Sequence, residues 1–174
     1  REDPDVIVIG ELRDLETIEM AVHSSETGHL VIGTLHTSSA ADTMNRILDV
    51  FPHGQQAQIR AMVAESLKGV ICQQLLPNAD GSDVVLAVEI LLGTLAVSNL
   101  IREGKTYQIE STIQTNKHLG MISMEQSHFE LYMNGKRTYE QTLPYIKNND
   151  LKRQMQQQEA MRLAGGGAGG GATP

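Results

Sequence analysis

The sequence has a single cysteine and no long apolar run, and each shortage excludes a class of protein. With Cys72 alone, neither an internal disulfide nor a four-cysteine zinc site can be built, which fits a reducing compartment. No apolar stretch approaches the roughly 20 residues of a membrane helix, and nothing suggests a signal peptide. Any membrane association is therefore expected to come through partners and not through direct insertion.

Positive charge is also scarce. Fourteen basic residues stand against 21 acidic ones, which gives a net charge of −7. A broad field that attracts nucleic acid is not expected from this balance, so we predict no nucleic-acid partner. Apolar residues, by contrast, make up 40% of the 174 residues, which is enough for the core of a globular protein.

Strand and helix patterns alternate in the first half of the chain. Residues 6–9 form a short β-branched run, which we interpret as a central parallel strand buried on both faces. A helix capped by Asp14 follows, then a second strand over residues 29–35 and a second helix that stops at Pro52. This alternation predicts an α/β fold with a parallel sheet and ligands at the carboxyl ends of its strands.

The later segments are mostly helical in pattern. Apolar spacing predicts one long helix over residues 55–75, then a third strand over residues 84–92 and further helices from residue 95 onward. We divide the chain into an α/β region over 1–94, a helical region over 95–150, and a charged helix with a flexible Gly-rich tail over 151–174.

Glu11 is the most informative candidate residue. Its carboxylate directly follows the first strand, where nucleotides and their metals bind in α/β proteins. Such an acid can hold a metal-bound water or polarise an attacking one. It can equally cap the following turn or pair with Arg13, and the spacing alone leaves both interpretations open.

His29 and His36 bracket the second strand. In a regular strand, residues seven apart face opposite sides, which argues against a shared metal. His36 sits beside three hydroxyl residues at the strand's carboxyl end, where donors can meet a terminal phosphate; the alternative is a structural or solvated histidine. The remaining histidines are predicted to be solvated: His23, His53, His118 and His128.

One further segment combines an apolar helical edge with exposed charges. It is either a contact surface or a solvated helix end before Gly104, and composition leaves the choice open. The segment consists of Asn99, Leu100, Ile101, Arg102 and Glu103.

Two motifs together resemble the type II and type IV secretion ATPase superfamily: R-E-D-P-D-V-I-V-I-G-E-L-R-D over residues 1–14, and T-G-H-L-V-I-G-T-L-H-T over residues 27–37. The resemblance implies that residues 1–94 are the second half of a RecA-like P-loop ATPase domain that uses ATP and Mg²⁺. The first motif would be the Walker B segment, with Glu11 near Mg²⁺ through water and Arg13 facing the nucleotide. The second would be the His box, with His36 near the γ-phosphate and His29 supporting the segment.

The resemblance continues to residues 99–103. This stretch is similar to a surface motif of the family's retraction branch, where it is associated with pilus retraction. Leu95 and Ser98 depart from the branch's usual proline and basic residue. The resemblance implies ATP hydrolysis that powers type IV pilus retraction and twitching motility. It also implies a cytoplasmic homohexamer, peripheral to the inner membrane, that meets a platform protein at the pilus base. Pilus extension and type II assembly ATPases, the nearest alternative, typically insert a four-cysteine module that this chain cannot form.

No G-x-x-x-x-G-K-[ST] motif is present, and the family's acidic box is missing too. We therefore expect the phosphate cradle upstream of Arg1, and we expect this chain alone to be inactive. A rival interpretation from another class is a non-enzymatic scaffold or relic that has lost the P-loop.

Overall fold

The computed structural model describes residues 4–166, and its first elements follow the predicted alternation. They are β1 (Val6–Ile9), α1 (Leu15–Glu26), β2 (Leu30–Gly33) and α2 (Ala40–Asp49). β1 and β2 pair in parallel, with Ile9 opposite Gly33. The predicted α/β fold with parallel strands is confirmed. The first three residues of the Walker B-like motif and most of the predicted Gly-rich tail lie outside the described residues.

Side-chain caps fix where α1 and α2 begin. Asp14 accepts hydrogen bonds from the backbone N–H and the hydroxyl of Thr17, and these bonds lower the pKa of the Asp14 carboxyl. Ser39 caps α2 by accepting from the Asp42 N–H at 3.1 Å. Each cap satisfies a backbone N–H that has no partner within the helix. Each cap therefore fixes the residue at which its helix begins.

The long helix predicted over residues 55–75 is wrong. Helix α3 (His53–Ser66) ends early, and the chain then forms β3 (Gly69–Pro77), which pairs with β4 (Val84–Leu92) in a separate two-stranded sheet. Burial in β3 alternates: Cys72 is buried, whereas Ile71 is 63% exposed. This period of two is the signature of a strand, and the apolar spacing alone did not distinguish it from a helical period.

The prediction that β1 is buried on both faces is also wrong. Val8 is 72% exposed and Val6 is 48% exposed, while Ile7 and Ile9 are half-buried. Within residues 4–166, β1 has β2 as its single neighbouring strand, so one edge of the strand and much of its side-chain surface have no cover.

The chain divides into two compact units, the first formed by residues up to 72 together with 89–123 and the second by residues 73–88 together with those from 124 onward. The first unit includes α4 (Leu95–Arg102) and α5 (Ile109–Thr115). The predicted division at residues 94 and 150 concerns sequence regions and stays a prediction. Among the described residues, no helix is both long and apolar enough to cross a bilayer.

The core of the first unit is apolar and lies where α1, α2, α3, α4 and α5 meet β4. Its members include several side chains with almost no exposed surface: Ile18, Met44, Leu91, Val97, Ile101, Ile109 and Ile113. Burial of this set is the main favourable term in folding of the unit. The loops that follow β1 and β2 lead into α1 and α2, whose apolar faces pack into this core.

The second unit is built from α6 (Met124–Met133), α7 (Tyr139–Thr142) and α8 (Asn149–Gly166) with the adjoining part of the hairpin. His128 on α6, predicted to be solvated, is 1% exposed. Its ring stacks on Tyr145 with 4.1 Å between centroids, and its Nε2 lies 3.0 Å from Gln74 Oε1. Burial, together with a smaller effect of the charge of Arg137, lowers the pKa of His128 to about 4.

We expect His128 to make the second unit less stable in mild acid. The pKa is 6.5 without the protein environment and about 4 in the fold, so between these values the unfolded chain takes up a proton that the folded chain does not. The contribution of neutral His128 to the free energy of unfolding is therefore complete above pH 6.5 and is lost as the pH falls toward 4. By about pH 5 the loss is about 2 kcal/mol.

Urea unfolding of wild type and His128→Leu at about pH 7.5 and pH 5 measures this loss, since the variant has no imidazole to titrate. The exposed His118 provides the matched control, and His118→Leu is expected to keep the wild-type pH dependence. Equal pH dependence in wild type and His128→Leu would contradict the assignment.

Candidate functional site

Glu11 and His36, which follow β1 and β2, lie next to each other. His36 Nε2 is 3.8 Å from Glu11 Oε1. The carboxyl ends of parallel strands meet at the same edge of a sheet, which is why residues 25 positions apart in sequence come together. Within the described residues, the Glu11 carboxylate therefore lies beside His36, and no ion pair joins it to Arg13.

Thr34 holds the backbone on both sides of Glu11. The Leu12 N–H donates to the Thr34 carbonyl oxygen at 2.8 Å, and the Thr34 hydroxyl donates to the Gly10 carbonyl oxygen. Gly10 and Thr34 are one step beyond the last paired residues of the two strands, so the backbone bond extends the parallel ladder and the hydroxyl adds a side-chain link to it. Glu11 is therefore presented from a fixed backbone.

The hydroxyls beside His36 are engaged in the start of α2. Thr37 Oγ1 lies 2.7 Å from Thr43 Oγ1, and Ser38 Oγ donates to Asp42 Oδ2 at 3.1 Å. Ser39 accepts at the helix cap, so its own proton is still available. Two of the three hydroxyls expected to face a phosphate fix the loop, and within residues 4–166 the third, on Ser39, has no acceptor for its proton.

The other predicted site residues lie apart from this pair. Arg13 is exposed and stands before the cap of α1. His29 is at the opposite end of β2, where its Nδ1 lies 3.0 Å from the Ser24 carbonyl oxygen and 3.0 Å from Thr27 Oγ1. An Nδ1–H tautomer satisfies this geometry, and it fastens the end of α1 to the start of β2. His29 thus has a supporting position and no direct contact with the site.

The pair is open to solvent, because the His36 side chain is 88% exposed and the Glu11 side chain 47% exposed. A contact between exposed polar groups at this distance contributes little to stability, and both groups are open to a ligand. Within residues 4–166, no three His, Cys, Asp or Glu side chains converge as a metal site requires. A single carboxylate fits Mg²⁺ when the ion keeps its waters and is held mainly by phosphate oxygens.

A cavity of about 730 Å³ in the first unit lies beside this edge and does not include the pair. Its walls come from α1, β2 and α3, with Ile18, Val22, Met62 and Val63 among them. The candidate site is therefore the strand edge itself and not this cavity.

The segment over residues 99–103 is split between core and surface. Ile101 is fully buried in the core of the first unit, and Leu100 is half-buried against it. The three polar members are exposed: the Asn99 amide accepts from Arg102 Nη1 at 3.1 Å, and Glu103 lies 2.8 Å from Lys105 Nζ. The exposed members, with the uncovered part of Leu100, are the surface that this segment offers to a partner.

Sequence reasoning missed Thr34 and gave Glu89 no role. The signal for Thr34 was a hydroxyl directly after β2, level with Gly10 after β1, which becomes visible once the register is known. Glu89 lies within an apolar strand, and its Oε1 accepts from the Ala40 N–H at 2.7 Å, across 49 positions of sequence. Period-two burial of an acidic residue is the signal that points to it.

The sequence is similar to proteins of one known family. A family model described as type II/IV secretion system protein matches residues 1–164. A twitching motility protein of Neisseria gonorrhoeae is 53% identical over 135 residues, which are 78% of this chain and 36% of that protein. The type IV pilus retraction ATPase PilT of Pseudomonas aeruginosa is 54% identical over 125 residues, which are 72% of this chain and 36% of that protein.

A solved structure is similar as well. The crystal structure of the pilus retraction motor PilT with bound ADP aligns with a TM-score of 0.75 and 46% identity, over 86% of this chain and 42% of that one. This chain thus spans about a third of the length of the curated relatives it matches.

Proposed function

The chain belongs to the type II/IV secretion system protein family, whose model covers residues 1–164, and from this membership we propose that it is part of an ATPase that powers type IV pilus retraction and twitching motility. The fold similarity to a pilus retraction motor supports this proposal. The extent of the match supports it as well. The 135 aligned residues outnumber the 94 of the first predicted region, so the similarity extends into the helical region that follows it.

The observation that carries the proposal is the placement of Glu11 and His36. A carboxylate and an imidazole from neighbouring parallel strands lie 3.8 Å apart at the edge where α/β proteins bind nucleotides. The chemistry suited to this pair is the attack of water on a terminal phosphate, in which one group positions the water and the other meets the phosphoryl oxygens.

In this mechanism Glu11 accepts a hydrogen bond from the attacking water and orients its lone pair toward the phosphorus. His36 donates from Nε2 toward a γ-phosphate oxygen as negative charge develops there. The Ser39 hydroxyl is a further donor at the loop end. Thr34 keeps Glu11 in place through the backbone on both sides of it.

ATP and Mg²⁺ are the ligands that this arrangement fits. Glu11 would hold Mg²⁺ through a bound water, and Mg²⁺ when bound neutralises charge on the phosphates. Arg13 and His29 remain candidates for the nucleotide-binding segment, Arg13 through its exposed guanidinium and His29 through support of β2. Within this sequence no P-loop grips the phosphates, so hydrolysis requires that segment from the full-length protein.

The working form that we propose is a cytoplasmic homohexamer, held at the inner-membrane base of the pilus by a platform protein. The exposed Asn99, Arg102 and Glu103 on and after α4 are the proposed contact residues for transmitting motion. The single cysteine argues against the pilus extension and type II assembly alternative, and an intact P-loop in the full-length protein would exclude the scaffold alternative.

We expect His36→Ala in the full-length protein to lower ATP turnover about tenfold, because a donor to the developing phosphoryl charge is lost. Steady-state phosphate release measures the rate, and twitching of cells that carry the variant measures the motor. His53→Ala removes an exposed imidazole at the start of α3 and serves as the control.

Unchanged hydrolysis together with unchanged twitching in His36→Ala would remove His36 from the mechanism. Two results together would refute the proposed function as a whole: the purified wild-type protein hydrolyses no ATP, and cells without the protein retract their pili normally.

A further inference from the structure

Glu89 on β4 is a buried acid to which the proposed mechanism gives no role. The residue is 6% exposed, and its Oε1 accepts a hydrogen bond from the backbone N–H of Ala40, which has no exposed surface. A carboxylate is costly to bury unless it is hydrogen-bonded. Here the bond comes from the first turn of α2, where the helix carries partial positive charge.

The Ala40 amide is directly beyond the loop that presents His36. Several other contacts lie within that short segment, among them Thr37 Oγ1 with Thr43 Oγ1 and the bond from the Thr43 hydroxyl to the Ser39 carbonyl oxygen at 2.8 Å. They fasten the loop to the helix that follows it. The Glu89 bond is different in kind, because it fastens the start of the helix to a strand far away in sequence.

The surroundings of Glu89 favour a fixed carboxylate. The Cys72 thiol on β3 lies 4.0 Å from Thr43 Oγ1, and burial raises the pKa of that thiol, so it is neutral near pH 7. A buried charge-assisted bond between two well-packed elements has few alternative geometries. The bond from the Ala40 N–H therefore ties the end of the loop to β4 in the core of the first unit.

We infer that Glu89 is a positioning residue that holds the His36 loop at the strand edge, through its bond to the Ala40 N–H. The inference rests on the proposed function, since the position of His36 matters for hydrolysis only if His36 meets the phosphate. Glu89 itself touches no reacting atom. It acts by limiting where the backbone of residues 36–40 can lie.

Glu89→Gln in the full-length protein tests this inference, because the amide has the same shape and lacks the negative charge. We expect kcat for ATP hydrolysis to fall about tenfold with KM changed by less than about twofold. Hydrogen exchange of peptides that span residues 36–42 is expected to quicken, while exchange of β1 peptides stays the same. The exposed Glu110 on α5 gives the matched control, Glu110→Gln.

The double variant Glu89→Gln with His36→Ala separates positioning from general loss of stability. If Glu89 acts through His36, the double variant is no slower than His36→Ala alone. Losses that multiply, or exchange over residues 36–42 that matches wild type, would overturn the inference. If the wild-type protein hydrolyses no ATP, the proposed function fails, and the exchange measurement still decides whether Glu89 holds the loop.

Discussion

Full-length protein that carries Glu11→Gln is expected to bind ATP with wild-type affinity and to hydrolyse it about 10²- to 10³-fold more slowly. The amide keeps the shape of the carboxylate and its place beside His36, but it is neutral and a weaker acceptor for the attacking water. Titration with a fluorescent nucleotide measures binding, and phosphate release measures turnover.

Glu16→Gln provides the control for Glu11→Gln, because Glu16 is an exposed acid in the first turn of α1, five positions away. This variant is expected to hydrolyse ATP at the wild-type rate. Wild-type hydrolysis by Glu11→Gln itself would show that another group positions the water, and the proposed role of Glu11 would then be wrong.

Gly93→Ala is expected to destabilise the first unit by about 3 kcal/mol or more. A Cβ at this position would lie 2.0 Å from the Leu67 carbonyl oxygen and 3.2 Å from the Lys68 carbonyl oxygen. These are backbone atoms, which cannot rotate away as a side chain does. The Gly93 N–H also donates to the Lys68 carbonyl at 2.9 Å, so separating the two segments would break that bond.

Urea unfolding of the full-length protein, followed by circular dichroism, measures this loss. Gly54→Ala is the matched control, since Gly54 lies in α3 and no atom is within 4 Å of its added Cβ. Alanine is favoured over glycine in a helix, so this variant is expected to be slightly more stable than wild type, by less than about 1 kcal/mol. Equal stability of the two variants would contradict the packing argument.

Much of the first half of the fold could be predicted because its signals are local. Asp14 was predicted as a helix cap from residue type and position alone, and the structure confirms this cap. The error over residues 55–75 arose because strand pairing is not local: β3 exists through β4, which is not visible in its own apolar spacing. His128 was missed for a similar reason, since its stacking on Tyr145 depends on how helices pack.

The candidate site was predictable in part. The end of a parallel strand is a place where ligands bind, so Glu11 and His36 could be named before their distance was known. Their roles in catalysis stay a prediction. The contacts of Thr34 and Glu89 could not be named, because the first depends on the register of β1 with β2 and the second on a hydrogen bond across 49 positions.

A machine that works by moving its parts needs some distances that change and others that stay constant. Thr34 bonds to the residues on both sides of Glu11 and is two positions from His36. The carboxylate and the imidazole are therefore attached to the same hydrogen-bonded pair of strand ends. A pair of spectroscopic labels on β1 and β2 should therefore report a constant separation through the working cycle. Under the proposed function, changes at the site during hydrolysis then come from groups that approach this pair from outside β1 and β2.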